Sequence, residues 1–194
     1  RAFGGSLLRL TGHGFDVSSL STYACKFENA AVESETSSVV VHNLTHMECV
    51  SPRWNFAASK TTITVQRNGR SVHTVAASQL FEFTEGMSVI QPTTGPAQGG
   101  VATTIEAFGL DANVPYQCAW SMDNETSFDV HNSSVVSMIT PAVNVSVWYA
   151  FCISPAWGLE HEASNVSVHL LRDGIPLDRR GNNVYLFEST WQQI

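Results

Sequence analysis

Hydrophobic and polar positions alternate along short runs of this chain, separated by glycine, proline and asparagine, and no window sustains the 3.6-residue period of an amphipathic helix. Tyr23-Ala-Cys25-Lys-Phe27 places Tyr, Cys and Phe on one face, the pattern of a half-buried strand. Met47-Glu-Cys49-Val-Ser51-Pro52 alternates the same way and ends at a proline, which cannot donate into a ladder. Ser6 to Leu10, Ser37 to Val41, Thr62 to Val65 and Leu80 to Phe83 read as further strands. Gly12-His13-Gly14-Phe15 and Arg67-Asn68-Gly69-Arg70 supply turns, the latter the Asn-Gly signal of a tight hairpin.

The pattern then repeats. Ala2-Phe-Gly-Gly5 returns as Ala97-Gln-Gly-Gly100, an offset of 95. Tyr23 to Phe27 returns as Tyr116-Gln-Cys118-Ala-Trp120, an offset of 93, and Cys49-Val-Ser-Pro-Arg-Trp54 as Cys152-Ile-Ser-Pro-Ala-Trp157, an offset of 103. Thr103 to Ala107 matches the first strand, Val166 to Leu170 runs through Arg172-Asp173-Gly174 as a second hairpin, and Val184 to Phe187 matches the last strand. The growth of the offset assigns about ten extra residues to the second copy, in an insertion around 132–149. Alternation outward from Cys152 would turn Asn144 and Trp148 inward, so either a break resets the register there or Asn144 carries no glycan. In the second hairpin Val166, Val168 and Leu170 share one face, which places Asn165 and Ser167 on the outward one.

The repeat predicts two domains, residues 1–86 and 87–194, each large enough for its own core. Position 1 falls inside the repeated motif. The strand matching Ser88 to Pro96 is therefore expected to be truncated from the first domain, and the polypeptide to be an excerpt of a longer one. The link shrinks to about Thr84 to Ser88, with two prolines beyond it, a semi-rigid joint.

Two cysteines fall in each half. Four cysteines allow three pairings, and only Cys25 with Cys49 and Cys118 with Cys152 repeats. Five Asn-x-Ser/Thr sequons, at Asn43, Asn124, Asn132, Asn144 and Asn165, are candidate N-glycosylation sites. With paired cysteines they predict an extracellular or cell-surface setting in the secretory pathway.

The Pro92-x-x-Gly95-Pro-x-x-Gly99-Gly100 stretch, the Tyr-x-Cys-x-aromatic strand, Cys-x-Ser-Pro, the hairpin and the terminal Phe strand together resemble the IPT/TIG domain. That is an immunoglobulin-like module of plexin and Met-type ectodomains and other surface proteins, and the likeness covers nearly the whole chain. It implies an all-β fold of two tandem immunoglobulin-like β-sandwiches and says little about activity. The enlarged 132–149 region departs from the family pattern.

Charge narrows the partners. The formal net charge is -7, and residues 87–194 carry three Lys/Arg against ten Asp/Glu, the opposite of a nucleic-acid-binding face. This balance, the sequons and the cysteine pairs also count against the family's intracellular DNA-binding relatives. No apolar run reaches the length of a membrane span.

No nucleophile elbow, zinc-protease helix, phosphate loop or Cys-x-x-Cys is present. His42 and His46 lack an evident third metal ligand, His13 lies between two glycines as a turn residue, and Glu160-His161-Glu162 follows a loop with no nucleophile beside it. The expectation is a protein with no catalytic, metal or cofactor site. It would be a structural or adhesive module of a larger glycoprotein, a receptor ectodomain or a filament or matrix component, acting on protein partners or on itself. The sparser sequons of residues 1–86 favour contacts there. The alternative is a carbohydrate-binding accessory module using Trp54, Trp148, Trp157 or Trp191 as stacking platforms.

Overall fold

The computed structural model describes residues 1–18, 20–73, 79–122 and 137–191. Two compact units divide the chain, Arg1–Thr84 and Glu85–Ile194. Both are built from strands, and the one helical element among the described residues is a 3-10 turn, Trp157–Leu159.

Unit 1 contains β1 (Leu7–Thr11), β2 (Tyr23–Asn29), β3 (Ser34–Val41), β4 (His46–Val50), β5 (Lys60–Arg67), β6 (Arg70–Ser71) and β7 (Gln79–Glu82). Unit 2 contains β8 (Gly86–Gln91), β9 (Thr94–Pro96), β10 (Ala102–Phe108), β11 (Tyr116–Ser121) and β12 (Ser137–Val143). It continues through β13 (Tyr149–Ile153), β14 (Asn165–Arg172), β15 (Ile175–Pro176), β16 (Asp178–Arg179) and β17 (Val184–Glu188). Hydrogen bonding gathers these strands into two sheets, one in each unit.

Each sheet doubles back at one strand. β3 pairs with β2 through Ser34 to Ser38, then with β4 through Val39 to Val41. β12 pairs with β11 through Ser137 to Pro141, then with β13 through Ala142 and Val143. Second-neighbour strands of a flat sheet lie about 10 Å apart. The Cα atoms of Cys25 on β2 and Cys49 on β4 are 6.5 Å apart, and those of Cys118 on β11 and Cys152 on β13 are 6.3 Å apart. The sheet therefore folds over on itself in each unit, an arrangement consistent with a β-sandwich.

The alternating strands supply the core between the layers. In unit 1, Cys25, Phe27, Met47, Cys49, Trp54 and Phe83 are buried. In unit 2, Ile105, Cys118, Trp120, Cys152, Trp157, Val168, Tyr185 and Phe187 belong to one buried cluster. The hairpins turn at Asn68-Gly69 (φ 50° and 76°) and Asp173-Gly174 (φ 53° and 77°), the left-handed pair a two-residue loop requires.

One local expectation is revised, and at Asn144 one of two alternatives is met. Alternation turns Ser167 outward, yet Ser167, His169 and Leu171 on that face of β14 are buried, as are the neighbouring Ala119 and Ser121 on β11. Both faces of this part of the sheet are covered. At Asn144 the register is reset: β12 ends at Val143, Asn144 adopts φ +48° and is exposed, and β13 begins five residues later.

Candidate functional site

The same local construction appears once in each unit. Gly4 (φ +78°) and Gly99 (φ +78°) carry the backbone against the Pro52 and Pro155 carbonyls, where a Cβ would stand 2.6 and 2.2 Å from the oxygen. Only glycine accommodates both that dihedral and that approach. One residue on, the Gly5 and Gly100 amides donate to the Ser51 and Ser154 carbonyls, each at 2.9 Å. The serine hydroxyls in turn accept from the Ser6 and Val101 amides at 2.9 and 3.0 Å. Cys-x-Ser-Pro thus serves two ends at once: its cysteine joins the layers, and its serine and proline hold the glycine turn.

The tryptophan of the same motif closes the core. Trp54 stacks on Phe83 at 4.6 Å and 11°, and Trp157 on Phe187 at 5.2 Å and 6°. Their indole N–H groups donate to the Ala57 and Glu162 carbonyls, each at 2.9 Å. Both rings are fully buried, so neither offers a face to a sugar. Trp191 is exposed, and Trp148 is half-buried with its ring edge-on to Phe108 at 6.4 Å.

All four cysteines are paired within their units, Cys25 with Cys49 and Cys118 with Cys152. Among the sequons, Asn43 is exposed, and its side-chain carbonyl accepts from the Thr45 amide at 2.8 Å and the Thr45 hydroxyl at 2.9 Å. The fold uses the oxygen of this side chain and leaves its amide nitrogen to solvent. Asn144 and Asn165 are also exposed, Asn165 as the first residue of β14. Asn124 and Asn132 lie outside the described residues.

The polar groups singled out in the sequence are dispersed. His42 Nε2 lies 3.0 Å from Glu48 Oε2, and Arg9 Nε donates to Glu48 Oε1 at 2.9 Å. The His42 and Arg9 hydrogen bonds hold the Glu48 carboxyl below its usual range. His46 instead contacts the Thr45 hydroxyl through Nδ1 at 2.8 Å. His161 packs on the Trp157 ring at 4.6 Å, and its Nε2 lies 4.0 Å from Glu160. Beside it is a shallow depression of about 390 Å³, lined among others by Ala97, Leu159, His161 and Glu162. No group of three or more potential metal ligands occurs among the described residues. None of their helices is long and apolar enough to cross a membrane.

Two features escaped the sequence. The first is a partly buried polar clamp in unit 2. Tyr116 Oη donates to Glu85 at 2.7 Å and accepts from the Asp111 amide at 3.0 Å, while Arg172 pairs with the same carboxylate at 2.5 Å. Burial, with Glu85 adding to it, pushes the Tyr116 hydroxyl above its ordinary value. Glu85 and Arg172 are 87 residues apart, and no short-range pattern connects them.

The second is a recurring apolar surface. Outward residues of β1, β3 and β4 include Leu7, Val40 and Val50, all exposed, around the Arg9, Glu48 and His42 group. The matching face of unit 2 carries Val143, Tyr149 and Ile153, exposed, with Phe151 between them edge-on to Tyr149 at 5.3 Å. The period-2 pattern contained these residues, but without the sheet order nothing showed that they adjoin.

No family model matches the chain, and no curated protein matches it. Among solved structures it is similar to the extracellular region of plexin A4. One of these, spanning domains 1 to 8, has a TM-score of 0.37 and 12% identity over 95% of this chain and 26% of that one. Another, spanning domains 1 to 10, has a TM-score of 0.38 and 13% identity over 95% and 15%. The chain spans about a quarter or less of the length of the structures it matches.

Proposed function

We propose that the chain is a non-catalytic structural or adhesive pair of modules from a larger extracellular glycoprotein, each an immunoglobulin-like sandwich of the IPT/TIG type. The observation that carries the contact role is that both units leave the same outer sheet face apolar, Leu7, Val40 and Val50 in one and Val143, Tyr149 and Ile153 in the other. Large apolar residues exposed together on one sheet face favour a protein contact there. The unit 1 face, with Arg9 and Glu48 at its centre and one sequon in its unit, is the favoured contact. A contact mapped around Asn124 and Asn165 with their glycans in place would overturn that placement.

Two disulfides and exposed sequons support the extracellular setting. The test is secretion of the chain behind a signal peptide, followed by non-reducing peptide mapping and glycosidase treatment. Intra-unit disulfides with glycans at Asn43 and Asn165 are expected. A secreted product with free thiols and bare asparagines would defeat the reading. The carbohydrate-binding alternative now rests on Trp148 and Trp191, since Trp54 and Trp157 are buried. Glycan-array binding lost on Trp191→Ala or Trp148→Ala would favour it.

A further inference from the structure

The outer sheet faces of the two units carry different chemistry at matched positions. Cys49 pairs with Val39 and Cys152 with Ala142, which sets Val40 in register with Val143 and Glu48 with Phe151. On the other side of these strands Arg9 faces Glu48 as Thr104 faces Phe151, and Thr11 faces His46 as Glu106 faces Tyr149. Unit 1 thus holds a charged group at the centre of its face, Glu48 with Arg9 and His42. At the same place unit 2 holds the aromatic pair Tyr149 and Phe151, edge-on to each other at 5.3 Å.

Asn144 stands beside that pair. Ala142 and Val145 both pack against the unit 2 core, so the two residues between them lie together on the outer side, and both Val143 and Asn144 are exposed. Two outward residues in succession mark a bulge, and the φ of +48° at Asn144 supplies its kink. Val143 lies directly opposite Phe151 across β12 and β13. The turn beyond is fixed: the Ser146 amide donates to the Tyr149 carbonyl at 2.8 Å, and the Ser146 hydroxyl accepts from the Trp148 and Tyr149 amides at 3.2 Å each. The sequon of unit 1 lies in the matching turn but two positions later, where Asn43 aligns with Ser146. The Asn43 side-chain carbonyl accepts from the Thr45 and His46 amides at 2.8 and 2.9 Å, so Asn43 holds its turn, whereas Asn144 is displayed beside the aromatic pair. Glycine would meet the Asn144 dihedral as well, but only an asparagine two residues before a hydroxyl carries a glycan.

We propose that the N-linked glycan of Asn144 folds back over Tyr149 and Phe151, so that its first N-acetylglucosamine covers the apolar face of unit 2. The C–H faces of such a sugar are apolar and meet the negative faces of aromatic rings. Thr104 and Glu106, opposite Phe151 and Tyr149 on β10, border the pair with polar groups for the sugar hydroxyls. The proposal rests on the secretory setting given above and narrows the contact role. The unit 2 face is a seat for the chain's own glycan, and protein contact falls to the unit 1 face, where Glu48 and His46 offer a sugar no such platform.

The probe is the 194-residue chain secreted from glycosylating cells and trimmed enzymatically to one N-acetylglucosamine per occupied sequon. Glycopeptide mapping should find Asn144 occupied. Proton NMR should show one sugar ring and its N-acetyl group shifted upfield by the aromatic rings, with nuclear Overhauser contacts to Tyr149 and Phe151. Amide exchange in β12 and β13 should be about three- to tenfold slower than in Asn144→Gln. Tyr149→His with Phe151→Glu installs the unit 1 chemistry; Asn144 should stay occupied while the upfield shift and the protection both disappear. Sugar signals at free-glycan positions in the unaltered chain, equal protection with and without the aromatic pair, or a bare Asn144 beside occupied Asn43 and Asn165 would each overturn the proposal. Bare asparagines at all three would overturn the secretory reading along with it.

Discussion

Replacing Cys118 and Cys152 together by alanine tests whether the cross-layer bond holds unit 2 in its folded-over form. The closed loop has a sequence separation of 34, against 24 for Cys25 and Cys49. In the chain-entropy account these loops constrain the unfolded state by about 3.8 and about 3.4 kcal/mol at 25 °C. Both sulfur atoms of the unit 2 bond belong to fully buried residues in contact with the Trp120, Trp157 and Phe187 cluster. Their removal leaves unfilled space worth on the order of 1 kcal/mol more. The double variant should therefore lose about 4 to 5 kcal/mol, a large part of the stability of a domain this size.

Urea titration followed by hydrogen exchange in β11 and β13 measures the loss in unit 2 itself. With a slope of about 1.5 kcal/mol/M, the midpoint should fall by about 3 M. Reduction of the unaltered chain should reproduce the shift. A double variant within about 1 kcal/mol of the oxidised chain, or a reduced chain indistinguishable from the oxidised one, would refute the reasoning. The layers would then be held by side-chain packing alone.

Three further outcomes follow from single positions. Gly99 and Gly100 have φ of +78° and +83°, but a Cβ meets the Pro155 carbonyl at one and nothing within 4 Å at the other. Gly100→Ala should cost about 1 to 2 kcal/mol for the dihedral alone, and Gly99→Ala about 2 kcal/mol more in thermal unfolding; equal losses would remove the close-approach argument. Asp16 is held well below the usual carboxylate range, first by the Ser18 hydroxyl and then by the Ser21 hydroxyl. Its folded-state depression means the contribution is present above about pH 4 and lost as pH falls further, so Asp16→Asn should flatten the acid limb of the stability profile of unit 1. Trp54→Ala removes a fully buried ring stacked on Phe83 and should destabilise unit 1 by about 3 to 5 kcal/mol in denaturant titration; a change below 1 kcal/mol would place the indole outside the core.

Strands built around a cysteine were legible because their inward positions are large and their outward positions small or polar, as in Tyr23 to Phe27. The hairpins were legible because Asn-Gly and Asp-Gly are chemically suited to left-handed dihedrals. β3 was harder. Its polar half, Ser34 to Ser38, pairs with β2 without an apolar period, so only the Val-rich half stood out. The covered second face of β14 was hidden for a related reason. Ser167 and His169 are residues ordinarily found at the surface, and alternation cannot distinguish a wet face from one lined by small or polar groups. Parallel pairing of β9 with β17, and the Glu85 clamp, depend on contacts about ninety residues apart and leave no local trace.

The two units keep one construction and vary around it. In both, an aspartate amide donates 3.0 Å to the hydroxyl of the tyrosine two residues before the first disulfide cysteine, Asp16 to Tyr23 and Asp111 to Tyr116. The partners beyond that bond differ. In unit 2 the tyrosine hydroxyl and Arg172 converge on Glu85, immediately before β8. In unit 1 the matching Arg67 turns to the Asp16 carboxylate at 3.0 Å, and its guanidinium lies 5.8 Å over the Tyr23 ring. The arginine is thus retained while its acid changes. Shared residues hold the layers together, while the acid that the arginine engages differs between the copies. Arg67→Ala should therefore leave the Asp16 carboxyl below its ordinary range, because the Ser18 and Ser21 hydroxyls hold it more strongly than the arginine does; carbon-13 NMR of that carboxyl through an acid titration checks this, and a return to the ordinary carboxylate range would refute it.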